Sequence, residues 1–132
     1  MPKNSIPETY EPNPVANPAL ETRLWLAQRI SAMVLGIAVI VHLGTIIYAV
    51  RGGLSAAEII ARVGGQPGWT VFYGIFVAAV AVHAPIGLRA VLSELTALPQ
   101  RRVDLLCFIV AIMFGYLGYR VVKNFHTLGV TP

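Results

Sequence analysis

ISAMVLGIAVIVHLGTIIYAV, Ile30 to Val50, runs for 21 residues without a formal charge. As an α-helix rising ~1.5 Å per residue it covers about 31 Å, the thickness of a bilayer's hydrocarbon core. Lipid offers nothing to an unpaired N–H or C=O, so a segment this apolar crosses a membrane as a helix. Two further runs obey the same rule. Trp69–Leu88 is long enough outright, and Leu105–Tyr119 is extended by Arg102, Arg120 and Lys123, whose stems can snorkel to the interfaces. The expected fold class is therefore an all-α membrane protein with three transmembrane helices, over about 29–50, 69–93 and 103–122.

Composition agrees. The 132 residues are 56% hydrophobic and only 12% charged, with a mean hydropathy of +0.69. A soluble domain this small would need more polar surface. The net charge of +4 comes from scattered basic residues, with no basic run interleaved with aromatics, which argues against a nucleic-acid partner. Cys107 is the single cysteine, so an internal disulfide and a thiolate cluster are both excluded. Its apolar surroundings suit an inert packing residue.

Around the anchor domain, 24–123, lie a polar, proline-rich arm (1–23) and a short tail (124–132). The arm reads as extended chain on a surface. It has neither the apolar core of a signal peptide nor the Arg/Ser richness of a transit peptide, so a bacterial cytoplasmic membrane is the expected location. With the N-terminus inside, Lys3, Arg23, Arg29, Arg89, Arg101 and Arg102 fall on the cytoplasmic side, against Arg51, Arg62, Arg120 and Lys123 outside. The positive-inside rule favours that orientation. Between the first two spans, Gly pairs bracket SAAEIIARV, where Ser55 can cap a two-turn helix ending before Gly64. Leu54, Ile59, Ile60 and Val63 would form its apolar face against the outer membrane surface.

Two histidines interrupt the spans, His42 in the first and His83 in the second. A buried imidazole in lipid costs energy unless partnered, so each marks a candidate site; the plain alternative is a neutral ring hydrogen-bonded to a neighbouring helix. Counting from Arg29, His42 lies about 20 Å from the inner edge; counting from Trp69, His83 lies about 21 Å from the outer edge. Across a core of about 30 Å the two differ in depth by roughly 10 Å. Imidazoles that clamp one metal face each other across about 4 Å, so these two cannot share one iron. If both are ligands, each needs a second ligand from another chain. Small residues surround them: Gly36 and Gly44 near His42, and Ala79, Ala84 and Gly87 near His83. Pro85 removes the hydrogen bond to the Ala81 carbonyl and should bend the helix beside His83.

His83-Ala84-Pro85-Ile86-Gly87-Leu88-Arg89 fits the H-x-x-x-G-x-R pattern and resembles cytochrome b anchor subunits of the succinate dehydrogenase/fumarate reductase family. The opening of the first span, RLWLAQRISAMVLGIAVIVH, is similar to the corresponding helix of the dihaem members, and the 41-residue spacing from His42 to His83 is similar too. The resemblance covers about Arg23 to Glu94 and implies half of a haem-binding helical bundle. It implies His83 and His42 as axial ligands of haem b iron, two haems shared with a sister anchor subunit, and Arg89 as a propionate contact. Trp25, Gln28, Arg29 and Ser31 would frame a quinone site, for ubiquinone or menaquinone. Here Trp25 replaces the family's serine four residues before the arginine. Glu58 is a candidate proton relay on the outer side. His126 reads as a surface residue. The implied partners are a second haem-binding anchor subunit, an iron–sulfur subunit, an FAD flavoprotein subunit and membrane lipid. The chain would transform no dicarboxylate itself; it would pass electrons between the iron–sulfur subunit and the quinone pool. A haem-free structural anchor and a small proton-coupled transporter component remain as alternatives.

Overall fold

The computed structural model describes residues 17–128. Four helices follow one another: α1 (Pro18–Arg51), α2 (Ala56–Val63), α3 (Pro67–Leu95) and α4 (Gln100–Leu128), with no strand among the described residues. Three of them, α1, α3 and α4, are long and apolar enough to cross a membrane. The chain is an all-α, multi-pass membrane protein.

Each helix begins where its sequence tells it to. Asn17 accepts from the Ala19 and Leu20 amides, and Pro18 occupies the first turn, where no N–H is missed. That Asn-Pro signal starts α1 inside the stretch read as an extended arm, so 18–23 are helical. At the other end, α4 continues to Leu128, into the stretch read as a tail. The α1 helix stops at Gly52-Gly53, where Gly53 takes a φ of 64° that a side chain would resist. In α2, Ser55 and Glu58 form a reciprocal capping box, as the sequence suggested for Ser55.

The α3 helix is central, with α1 packed along one side and α4 along the other. Its contacts with α1 keep one antiparallel register: Gln28 against Gly87, Ser31 against His83, His42 against Tyr73. Its contacts with α4 keep another: Arg89 with Asp104, Val77 over Gly118, Tyr73 with Phe125, Thr70 with His126. Small residues set the spacing. Ala38 and Ala79 are buried, and a Cβ on Gly118 would run into the Val77 side chain. Without a hydrophobic drive between helices in lipid, such close approach supplies the van der Waals contact that holds them. The buried hydrophobic set is brief, Ala38, Ala79, Val103 and Cys107, while Ile37, Ile40, Leu43, Phe108 and Ile112 point outward. A surface of that kind belongs against lipid or another apolar chain.

Candidate functional site

One site forms where α1 crosses the middle of α3. Ser31, only 4% exposed, places its hydroxyl 3.0 Å from the Gln28 carbonyl and 3.4 Å from His83 Nδ1. One turn further along α3, Gly87 is met by the Gln28 side chain; a Cβ there would lie 3.2 Å from Gln28 Nε2. Gln28 Oε1 is buried and has no hydrogen-bond partner among the described residues. A buried acceptor left unpaired costs about 1–3 kcal/mol, so this oxygen calls for a donor. The four residues grouped as a quinone set divide between two faces of α1. Gln28 and Ser31 turn to α3, whereas Trp25 is 59% exposed and carries the Arg29 guanidinium 5.0 Å above its ring.

Arg89 has a different setting from the expected one. Its Nε donates to Asp104 of α4 at 2.8 Å, and its two terminal nitrogens donate to the Glu21 carboxylate of α1 at 3.1 and 2.8 Å. One cation thus ties three helices at one end of the bundle. It sits between two carboxylates. The geometry displays Arg89 as a clamp. Glu21 and Asp104 lie 68 and 15 positions from it, too far for sequence periodicity to reveal.

A second site surrounds His42. Its Nδ1 is 3.5 Å from the Tyr73 hydroxyl, at the edge of hydrogen-bond reach, and its ring lies edge-on to Tyr73 and tilted to Phe76, both with centroids at 5.8 Å. Beside it opens a cavity of about 400 Å³ lined by Ile46, Leu54, Ile59, Arg62, Trp69 and Phe125, among others. Ile59 and Val63 of α2, with Leu54 just ahead of it, line this cavity. Tyr73 and Phe125 were not singled out from the sequence; for Tyr73 the clustered aromatics of WTVFYGIF at the start of α3 were the available signal. Glu58 is fully exposed and occupied: its carboxylate accepts from the Ser55 amide and hydroxyl, each at 2.7 Å. Those hydrogen bonds, the backbone one first, hold its carboxyl below the ordinary glutamate range. His126 is exposed, with Nδ1 3.2 Å from the Thr70 hydroxyl.

The two intramembrane imidazoles stand further apart than the sequence distances suggested. Ser31, level with His83, precedes His42 by eleven residues; Tyr73, level with His42, precedes His83 by ten. The two spacings give a depth difference of about 15–17 Å rather than 10 Å. The discrepancy has a simple origin: Arg29 and Trp69 were taken as flush with opposite membrane edges, whereas the helix register offsets them. Among the described residues no group of three or more His, Cys, Asp or Glu side chains could hold a metal ion. Each level offers one imidazole from this chain, so an iron held there would take its opposing ligand from elsewhere. A Cβ at Gly36 or Gly44 would meet nothing within 4 Å, so α1 leaves open space at both positions.

Comparison with known proteins places the chain. The family model described as succinate dehydrogenase/fumarate reductase transmembrane subunit matches residues 10–118. A succinate dehydrogenase hydrophobic membrane anchor subunit of Archaeoglobus fulgidus is 30% identical over 112 residues, 80% of this chain and 95% of that protein. No solved structure matches. The chain belongs to the succinate dehydrogenase/fumarate reductase transmembrane subunit family.

Proposed function

We propose that the chain is a haem b-binding anchor subunit that carries electrons between an iron–sulfur subunit and the quinone pool. The observation supporting this most directly is the pair of imidazoles at two depths, each with Nδ1 turned to a hydroxyl, Ser31 or Tyr73. An imidazole held through Nδ1 presents Nε2, the arrangement typical of a ligating histidine with an outer hydrogen bond. His83 would hold the inner haem and His42 the outer, and a sister anchor subunit would supply the opposing histidines. When bound, haem b supplies a one-electron centre whose potential is set by its ligands, burial and nearby hydrogen bonds.

The chain's own residues do the remaining work. Both helices fix their histidines at positions separated by packed side chains, so the levels do not drift. Arg29, braced on Trp25, would offer donors to the oxygens of a ubiquinone or menaquinone at the lipid-facing edge. Gln28, on the face turned to α3, would back that site from inside the bundle. Apolar side chains around them exclude water, which strengthens each polar contact. An FAD flavoprotein and the iron–sulfur subunit would perform the dicarboxylate chemistry on the cytoplasmic face of a bacterial membrane, with this chain's N-terminus on that face.

The test is a haem count and a redox difference spectrum on the purified complex. Two b haems are expected, and His42→Ala and His83→Ala should each abolish a different band. A complex without haem overturns the reading, as does loss of the same single band in both variants.

A further inference from the structure

A serine hydroxyl has one proton, and Ser31 faces two groups that could use it. A backbone carbonyl can only accept, so the proton that Oγ directs at Gln28 O, 3.0 Å away, is donated there. The lone pairs that Oγ turns towards His83 Nδ1 must then be met by an N–H. A neutral imidazole has one N–H, and placing it on Nδ1 leaves Nε2 as a bare lone pair. At 4% exposure no bulk water competes for the hydroxyl.

We infer that Ser31 is a positioning residue for His83: its hydroxyl, oriented by the Gln28 carbonyl, fixes the imidazole tautomer and strengthens Nε2 as a donor. The inference rests on His83 being a haem ligand and assigns Ser31 to that ligand in place of the quinone. The two histidines differ in this respect. Tyr73, the hydroxyl partner of His42, has no second hydrogen bond among the described residues. It can rotate to donate or accept, so it selects no tautomer. Only the inner centre has its proton arrangement set by the fold. A hydrogen bond from Nδ1–H to an acceptor makes the ligand more electron-rich and favours ferric iron, so removing the acceptor should favour ferrous iron.

The experiment is a potentiometric titration of the haem bands in the assembled complex, comparing the native chain with Ser31→Ala and Ser31→Thr. His83→Ala and His42→Ala identify which band belongs to which histidine. In Ser31→Ala the His83 band is expected to shift its ferric–ferrous balance about threefold to tenfold towards ferrous, tenfold being about 59 mV for one electron. The His42 band should stay in place, and Ser31→Thr, which restores a hydroxyl, should titrate as the native chain does. If Ser31→Ala loses the inner haem instead, retention of that haem at native potential in Ser31→Thr supports the same role. An unmoved His83 band in Ser31→Ala overturns the inference, and so does a Ser31→Thr variant that behaves as Ser31→Ala does. Should His83→Ala leave every haem band intact, it is the ligand assignment that fails, and the two failures are told apart.

Discussion

Glu58, the candidate proton relay, also closes the capping box that starts α2. Its folded-state acidity is raised by the two hydrogen bonds to Ser55. A carboxyl depressed in this way contributes stability above its unfolded pKa and loses it as pH falls through the lower folded value. Acidification below the ordinary carboxylate range should therefore fray α2, seen as faster amide exchange at its first turn, and Glu58→Gln should remove that pH dependence. Arg89 makes a second residue-scale prediction. Its side chain is 21% exposed while both carboxylates are about half exposed, so solvent screening keeps the cluster's worth modest. Arg89→Gln should cost on the order of 1 kcal/mol in the thermal stability of the detergent-solubilised chain, and Asp104→Asn added to it should recover part of that loss. The candidate residues themselves were legible because imidazole in an apolar run is conspicuous. Their partners were not, since Ser31 and His83 lie 52 positions apart and meet only once the α1–α3 register is known.

At the scale of the helix, glycine positions that look alike in sequence separate into two kinds. Gly118 lies under Val77, a branched side chain with no room to swing aside, so Gly118→Val should force α4 from α3 and cost about 1–3 kcal/mol of stability. Gly44 faces open space. Gly44→Val should leave the isolated chain's melting unchanged while lowering the haem content of the complex, if a macrocycle lies against that face of α1. Parallel melting curves and haem counts on the two variants check both statements. The three spans and the small capped helix were readable because hydropathy, length and capping signals are local. Helix ends were less so. Asn17-Pro18 carries a clear start signal, yet a proline-rich polar stretch outweighed it, and α4 outlasts the apolar run Leu105–Tyr119 because a helix can continue once it leaves lipid.

For the whole molecule, the register along α3 fixes a vertical scale. With His42 and His83 about 15–17 Å apart along the bundle, two haem irons ligated as proposed should show that separation along the membrane normal, measurable by magnetic coupling between the ferric centres. A value near 10 Å would mean the helices slide on assembly. No property of one sequence could supply this figure, because it depends on how two helices are offset. The three-helix clamp also bears on how the molecule is made. A ribosome delivers Glu21 first, Arg89 next and Asp104 last, so the guanidinium meets one carboxylate as soon as the second span is in place. By then Ser31 can also meet His83. The pair of helices bearing both histidines thus has its own contacts without the third span, and α4 adds a buttress with Asp104 as its latch. A chain truncated after Leu95 should already hold α1 against α3, open to capture by a partner subunit.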